Sequence, residues 1–454
     1  MKRIENQAKF GALRKEFSTF TFERQTVRCE NGTLFLAFDF NLDGRYQFRP
    51  TLTIPARPFF DWDNLPNEQL ESLAFQIGMT ELVSYWKIAC PRRVVVKPFA
   101  LTEAQKAFWK KLYYNGLGEF LYLNSITVSE TDLMEIETQP PTSFLQRTCE
   151  NMEMGGIQFK EQTLIPIGGG KDSVVTLECL RDEMPVIPLI VNPRGATLNC
   201  VKTAGYGEND CILINRTLDP TMLKLNADGY LNGHTPFSAL LAFISVLVAF
   251  GSHSKYIALS NENSANESTV PGTNINHQYS KSIEFESDFR KYVADNLNDK
   301  VQYFSFLRPL SELQIAKLFS QCKTYHPVFR SCNVGSKTDS WCGHCPKCLF
   351  TWIILSPFLS REELTAIFGK DLMADASLQP ILEELNGTAA VKPFECVGTV
   401  EEVRACLKDM GISTGSMTPE LVEGPTVSEI LHCFNNEHFL PEKFEQILKS
   451  RLYV

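Results

Sequence analysis

Two short clusters hold residue types whose spacing implies chemistry. The first is TLIPIGGGKDSVVTLE, Thr163 to Glu178. An apolar run ends in Gly168, Gly169 and Gly170, and Lys171, Asp172 and Ser173 then open a helix-like stretch. Glycines let backbone N–H groups approach a polyphosphate without Cβ clashes. A helix N-terminus adds partial positive charge and unpaired N–H donors. The loop is therefore suited to a triphosphate or pyrophosphate. It is not a Walker A loop, which needs glycine where Ile165 stands and Ser or Thr where Asp172 stands. The dinucleotide fingerprint is also absent, because there is no second spaced glycine pair. The other cluster is RSCNVGSKTDSWCGHCPKCLF. Two overlapping C-x-x-C spacings bring Cys342, Cys345 and Cys348 onto one knuckle, and Cys332 closes a tetrahedron. Four soft ligands with no open position make a structural Zn²⁺ site. Redox-active thiols and an iron–sulfur cluster are the competing readings. His344 lies inside the knuckle, but four thiolates leave it no coordination place.

These clusters need a scaffold. VIPLIV (Val186 to Val191), CILI (Cys211 to Ile214) and YIALS (Tyr256 to Ser260) are short continuous apolar runs, as expected of strands buried on both faces of a parallel sheet. Thr235 to Ser252 reads as a buried helix, with Thr235 as N-cap and Pro236 in first position. The region is expected to be an α/β doubly wound parallel sheet. Ligands bind outside the carboxyl ends of such strands. That makes candidates of Asn192, of Asn261, Glu262, Asn263 and Glu267, of His234, and of Asn276, His277, Tyr279, Ser280 and Lys281.

Upstream, the pattern is α+β. Leu34, Leu36, Phe38, Phe40 and Leu42 alternate on one strand face, and Asp43-Gly44 reads as a hairpin turn. One amphipathic helix carries Leu70, Leu73, Ala74 and Ile77 and is expected to stop at Gly78. Another runs from near Thr102 to about Gly116. Pro140-Pro141 and Gly155-Gly156 bracket a boundary. After Ser360 the chain is helical and acidic, with capping boxes at Ser360/Glu363 and Thr399/Glu402. The expected organisation is an α+β domain over 1–155, a nucleotide domain over 156–358 and a small helical domain over 359–454.

The chain has 454 residues, 44% hydrophobic and 21% charged, and a net charge of −9, which does not favour a wide surface for nucleic acid. Its 14 cysteines are scattered apart from the one cluster, which argues for metal rather than disulfides. The start lacks an apolar run of signal-peptide length, so a cytoplasmic location is expected. Thr235 to Ser252 is short for a membrane span, and no membrane association is expected. A homo-oligomer is compatible with the sequence, which does not fix the oligomeric state.

Gly-Gly-Lys-Asp-Ser resembles the PP-loop of the N-type ATP pyrophosphatases, adenine nucleotide α-hydrolase-like enzymes that cleave ATP between the α and β phosphates. The resemblance implies that Gly169, Gly170, Asp172 and Ser173 surround the pyrophosphate, with Asp172 near Mg²⁺. The family's usual serine is Gly168 here, which leaves only a backbone N–H at that place. A PP-loop followed by four cysteines is similar to 7-cyano-7-deazaguanine synthase, over about Thr163 to Phe350. LESLAFQIGMTELVSYWKIACP (Leu70 to Pro91), GLGEFLY (Gly116 to Tyr122), IPIGGGKDS and WCGHCPKCLF together resemble the UDP-N-acetylmuramoyl-L-alanyl-L-glutamate epimerases, over most of residues 30 to 360.

That resemblance implies an ATP-consuming epimerase of peptidoglycan precursor synthesis, with a UDP-muramyl dipeptide as its small-molecule substrate. Lys171 and the loop amides would stabilise phosphate charge, and Asp172 with Glu262 would hold Mg²⁺. Asn192 and Asn261 would lie by the nucleotide. His234 and His277 are the candidate proton-transfer residues, on residue type and position. Lys87, Arg92 and Arg93 are candidates to meet the UDP diphosphate. The rivals are a carboxylate-adenylating nitrile or amide synthase, a tRNA thiolase, and a nucleotide-binding regulator that releases no pyrophosphate.

Overall fold

The computed structural model describes residues 3–138, 157–412 and 424–453. The boundary expected between Pro140-Pro141 and Gly155-Gly156 lies outside the described residues. The chain divides into two compact units. The first comprises Met1–Gln162, Ile212–Ile257 and Gln278–Gln302, and the second Thr163–Cys211, Ala258–His277 and Tyr303–Val454. Strands in chain order are β1 (Thr19–Glu30), β2 (Thr33–Leu42), β3 (Tyr46–Phe48), β4 (Thr51–Ile54), β5 (Arg93–Val96) and β6 (Glu135–Thr138). They continue as β7 (Lys160–Pro166), β8 (Val186–Val191), β9 (Ile212–Thr217), β10 (Ser254–Leu259) and β11 (Gln302–Ser305). Strands and helices together make an α/β protein, and its strand pairing is mixed.

In the first unit the strand order is β9-β4-β2-β1-β5-β6, with β3 also on β2. The pairs β1–β2, β2–β3, β2–β4 and β4–β9 are antiparallel, whereas β1–β5 and β5–β6 are parallel. Leu34, Leu36, Phe38, Phe40 and Leu42 are all buried, as the alternation predicts. Each such side chain contributes roughly 2 kcal/mol of transfer free energy. Asp43 and Gly44 take φ of 53° and 73° and return the chain so that Leu42 faces Tyr46. The CILI run is a strand but not a member of a parallel set with β4: β9 pairs antiparallel with it. An apolar run encodes burial, not the direction of its neighbour. Arg216, on β9, forms a buried ion pair with Glu81, its Nη2 donating to Oε2 at 2.7 Å.

The helix expected to stop at Gly78 instead runs over Asn67–Trp86. Gly78 does not end it. A Cβ there would lie 2.4 Å from Phe22 Cζ and 2.9 Å from Phe38 Cδ1, so the glycine lets the helix close onto β1 and β2. Helix Glu103–Gly116 opens with a Thr102/Gln105 capping box and leads into helix Gly118–Leu123. The apolar helix spans Phe237–Ser252 with Pro236, not Thr235, at its N-cap. Phe243 packs there on Trp109, with ring centroids 5.2 Å apart, and on Phe289 at 4.8 Å. Among the described residues no helix is long and apolar enough to cross a membrane.

The second unit takes β8 and the C-terminal parts of β7, β10 and β11. β7 and β8 are parallel, with Thr163 opposite Val186 and Pro166 opposite Leu189. The carboxyl ends of β7, β8 and β10 therefore deliver Gly168, Asn192 and Ser260 in this unit. Helices Arg361–Phe368 and Val400–Asp409 start with the expected Ser360/Glu363 and Thr399/Glu402 boxes.

Candidate active site

The glycine loop is built for close backbone approach. Gly169 has φ of +80°, and a Cβ on it would lie 3.0 Å from Ala196 C and Thr197 N, at the start of helix Gly195–Thr203. Only glycine satisfies both demands. Arg330 N donates to the Gly169 carbonyl at 2.7 Å and fixes the loop from the other side. Gly170 is the N-cap of helix Lys171–Leu180 and has no side chain to cap it, so the first-turn N–H groups remain suited to an anion. The Ser331 hydroxyl is buried with no hydrogen-bond partner among the described residues, and its Oγ is 3.0 Å from where a Gly170 Cβ would sit. Gly168 is exposed and has open space around its Cβ direction. Serine would fit there, so its absence is not a steric necessity. Ser173 Oγ donates to the Gly170 carbonyl at 3.1 Å.

Lys171 is 3% exposed and lies between two carboxylates. Its Nζ is 2.5 Å from Asp172 Oδ1 and also contacts Glu312. Burial lowers its pKa, but the Asp172 and Glu312 charges more than reverse this, and the lysine is held protonated. Burial pushes Glu312 well above the usual carboxylate range against the pull of Lys171, and Asp172, Glu262 and Glu402 push the same way. Glu262 is buried, with Ser264 Oγ donating to its Oε1 at 3.3 Å and Arg308 Nη1 donating to its carbonyl at 2.6 Å. Asn261 Nδ2 donates to Ser305 Oγ at 2.9 Å, which makes it a support of this loop. Glu402 accepts from Leu313 N at 3.2 Å, so the capping box of the tail also reaches the start of the Glu312 helix. Asp172 and Glu312 thus contact Lys171, and Glu262 and Glu402 lie near enough to act on the charge of Glu312. Carboxylate oxygens grouped in this way are the ligand type that hard divalent cations take.

Cys332, Cys342, Cys345 and Cys348 bring their sulfurs within 4.8 Å of one another. Cys332–Cys345 and Cys342–Cys348 are 3.6 Å apart and Cys345–Cys348 is 3.5 Å. A tetrahedron with metal–sulfur bonds of about 2.3 Å has edges near these lengths, so the set is sized for one ion. Gly335 N donates to Cys332 Sγ at 3.2 Å, a contact that supports a thiolate. His344 is exposed and turns Nδ1 to the Cys342 carbonyl at 2.7 Å, outside the sulfur set. Cys332 directly follows Arg330 and Ser331, which touch the glycine loop. The knuckle therefore also anchors one side of the glycine loop.

His234 belongs to the first unit, its Nδ1 3.7 Å from Glu119 Oε2. His277 belongs to the second, with its backbone N on Thr269 Oγ1 at 3.0 Å. Asn192 directly follows β8 in a left-handed conformation, φ 52°, which asparagine tolerates. Asn276 holds the Ala265 carbonyl at 2.8 Å, and Tyr279 is buried in the first unit. The expected basic rim is not a rim at Lys87, which is 6% exposed with its Nζ on the Gly233 carbonyl. Its stem and ammonium are enclosed at the end of helix Asn67–Trp86. Arg92 and Arg93 are exposed and meet Glu135 at 3.3 Å and Glu137 at 2.8 Å. Sequence reasoning did not name Glu312, Ser331 or Glu119 as site residues and read Glu402 only as a capping residue; of these four, Glu312 alone lies outside every quoted motif. The available signals were Glu119, inside the GLGEFLY stretch, and Ser331, directly before Cys332.

The site thus joins, on an α/β scaffold, a glycine loop at a helix N-terminus, a buried lysine touching two carboxylates and a four-cysteine knuckle. Residues 12–306 match the family described as the MurL N-terminal domain and residues 328–429 the MurL C-terminal domain, and the chain belongs to the MurL family. It is 36% identical over 403 residues to a Micromonospora sp. protein named UDP-N-acetyl-alpha-D-muramoyl-L-alanyl-L-glutamate epimerase, covering 86% of each chain. Proteins of the same name from Salinispora tropica and Xanthomonas oryzae pv. oryzae are 34% and 32% identical. Those matches cover 88% and 86% of this chain, and 86% and 85% of the relatives.

Proposed function

We propose that this chain inverts the terminal L-glutamate of UDP-N-acetylmuramoyl-L-alanyl-L-glutamate to D-glutamate, consuming ATP to do so. Its family and the name shared by its relatives support the substrate and the inversion. The observation that carries the ATP step is the Gly168–Ser173 loop, with its left-handed Gly169 and its lysine held charged between carboxylates.

The chemistry follows from the acidity of the α-proton. Beside a free carboxylate that proton is very weakly acidic, because the carbanion adds charge to an existing anion. The carboxylate oxygen attacks the α-phosphorus of ATP, the α–β bridge breaks, and pyrophosphate leaves. The resulting acyl-adenylate has lost one negative charge, and its carbonyl can accept the enolate charge. A base then removes the α-proton, a proton returns on the other face, and hydrolysis releases AMP. Gly169, Gly170 and the first turn of the Lys171 helix would bind the phosphates, and Lys171 would offset their charge. Asp172 and Glu262, with Glu312 beside Lys171, would hold Mg²⁺, which neutralises phosphate charge when bound. Cys332, Cys342, Cys345 and Cys348 would hold a structural Zn²⁺. His234 and His277 remain the histidines for the proton steps.

The test is to incubate the full chain with ATP, Mg²⁺ and the UDP-muramyl dipeptide. The expected result is substrate-dependent release of AMP and pyrophosphate with a product of unchanged mass. A new amide or nitrile in the product would instead support a ligating enzyme.

A further inference from the structure

The loop that carries His234 is clamped from several sides within the first unit. Leu231 N donates to the Ile88 carbonyl at 3.2 Å, and Asn124 Nδ2 donates to the Asn232 carbonyl at 3.1 Å. Lys87 Nζ donates to the Gly233 carbonyl. A Cβ on Gly233 would lie 2.9 Å from Phe120 Cδ2, and Pro236 fills the space beside Gly116, 2.8 Å from its Cβ direction. Ser84 Oγ reaches Thr235 Oγ1 at 3.4 Å. Two helix ends, Ser84 to Ile88 and Gly116 to Asn124, thus hold the loop in one conformation, which is what a precisely placed side chain needs.

Among these contacts two ionisable groups are buried that phosphate chemistry does not use. Glu119 is 5% exposed and faces His234 Nδ1; Lys87 feels the Glu119 charge. Burying a carboxylate and an ammonium costs several kcal/mol per ion unless pairing and hydrogen bonds repay it.

We propose that Glu119 and Lys87 position His234 as the base that takes the glutamate α-proton, a role that rests on the epimerase reading above. With Nδ1 turned to Glu119, the carboxylate selects the Nδ1–H tautomer and stabilises the imidazolium, so Nε2 takes the proton. The C–H bond breaks, an N–H bond forms at Nε2, and the electron pair moves into the enolate of the acyl-adenylate carbonyl. The imidazolium then gives its proton to water. Lys87 holds the loop through Gly233 and balances the Glu119 charge. Glu119 and Lys87 are positioning residues; His234 is the catalytic one.

Two readouts on the full-length enzyme separate this from a structural role: deuterium incorporation at the glutamate α-carbon in deuterated water, and substrate-dependent pyrophosphate release. Glu119→Gln is expected to slow exchange at least about tenfold and Glu119→Asp to restore part of it. Pyrophosphate release should stay within about twofold in both. His234→Ala is expected to lose about a hundredfold in exchange, with partial rescue by added imidazole. Wild-type exchange in Glu119→Gln overturns the proposal. So does a parallel loss of exchange and pyrophosphate release in both Glu119 variants. If the wild-type enzyme itself neither exchanges nor releases pyrophosphate, the epimerase reading falls and this role falls with it.

Discussion

Lys171 and Lys87 are buried to a similar degree, 3% and 6% exposed, yet their ammonium groups meet different surroundings. Lys171 touches two carboxylates, Asp172 and Glu312, and stays protonated. Lys87 touches a carbonyl dipole, with Glu119 further off, and burial pushes it down to about 8. Desolvation lowers both, and the direct carboxylate contacts decide the outcome, because Coulomb energy grows steeply at short range in a poorly screened interior. A fixed positive charge suits a phosphate site. A lysine whose proton is labile near neutral pH suits a region where protons are moved.

Removing the fixed charge has the largest expected effect. Lys171→Met leaves Glu312 buried without its cation and Asp172, partly exposed, without its partner, which costs on the order of 3 kcal/mol of stability in urea unfolding. It should also reduce substrate-dependent pyrophosphate release about 100-fold or more. A variant with near-normal release would remove Lys171 from the phosphate site and erase the contrast.

The labile lysine is tested by pH. Folded Lys87 releases its proton near pH 8, while the unfolded chain holds it to about 10.5, its ordinary value. Between these pH values the unfolded state binds more protons, so the Lys87 contribution to stability rises with pH, by up to about 3 kcal/mol. The stability of the wild type relative to Lys87→Met should therefore increase from pH 8 to pH 10.5. Parallel pH profiles for the two proteins would mean that Lys87 is an ordinary lysine.

The loop glycines give smaller effects that sharpen the phosphate side. Gly169→Ala forces a left-handed alanine against Ala196 and Thr197, and should cost about 1–3 kcal/mol with a fall in pyrophosphate release. Gly168→Ser enters open space and should change stability by less than about 0.5 kcal/mol while release is retained. Equal damage from both would contradict the assignment of Gly169 as the constrained position.

The two lysines also differ in how far their surroundings could be read from the chain. Lys171 lies within a contiguous signal, and so do the four cysteines, the Asp43-Gly44 turn and the capping boxes, since local spacing encodes local geometry. Its partner Glu312 is 141 positions away and lies in no motif. The surroundings of Lys87 come from three separate segments, around positions 87, 119 and 234, which no periodicity links. Gly78 misled for a related reason. As a local signal glycine ends helices, but here it was needed for close packing on Phe22 and Phe38. The antiparallel pairing of β9 with β4 was hidden likewise, because a buried strand reads the same in either direction.

The central claim is stereochemical, and chiral analysis of glutamate tests it most directly. UDP-N-acetylmuramoyl-L-alanyl-L-glutamate is incubated with the enzyme, ATP and Mg²⁺, hydrolysed, and its glutamate resolved into enantiomers. D-glutamate appearing only when ATP is present, with AMP formed alongside, is the predicted result. Glutamate that remains wholly L while ATP is intact or consumed would contradict the account.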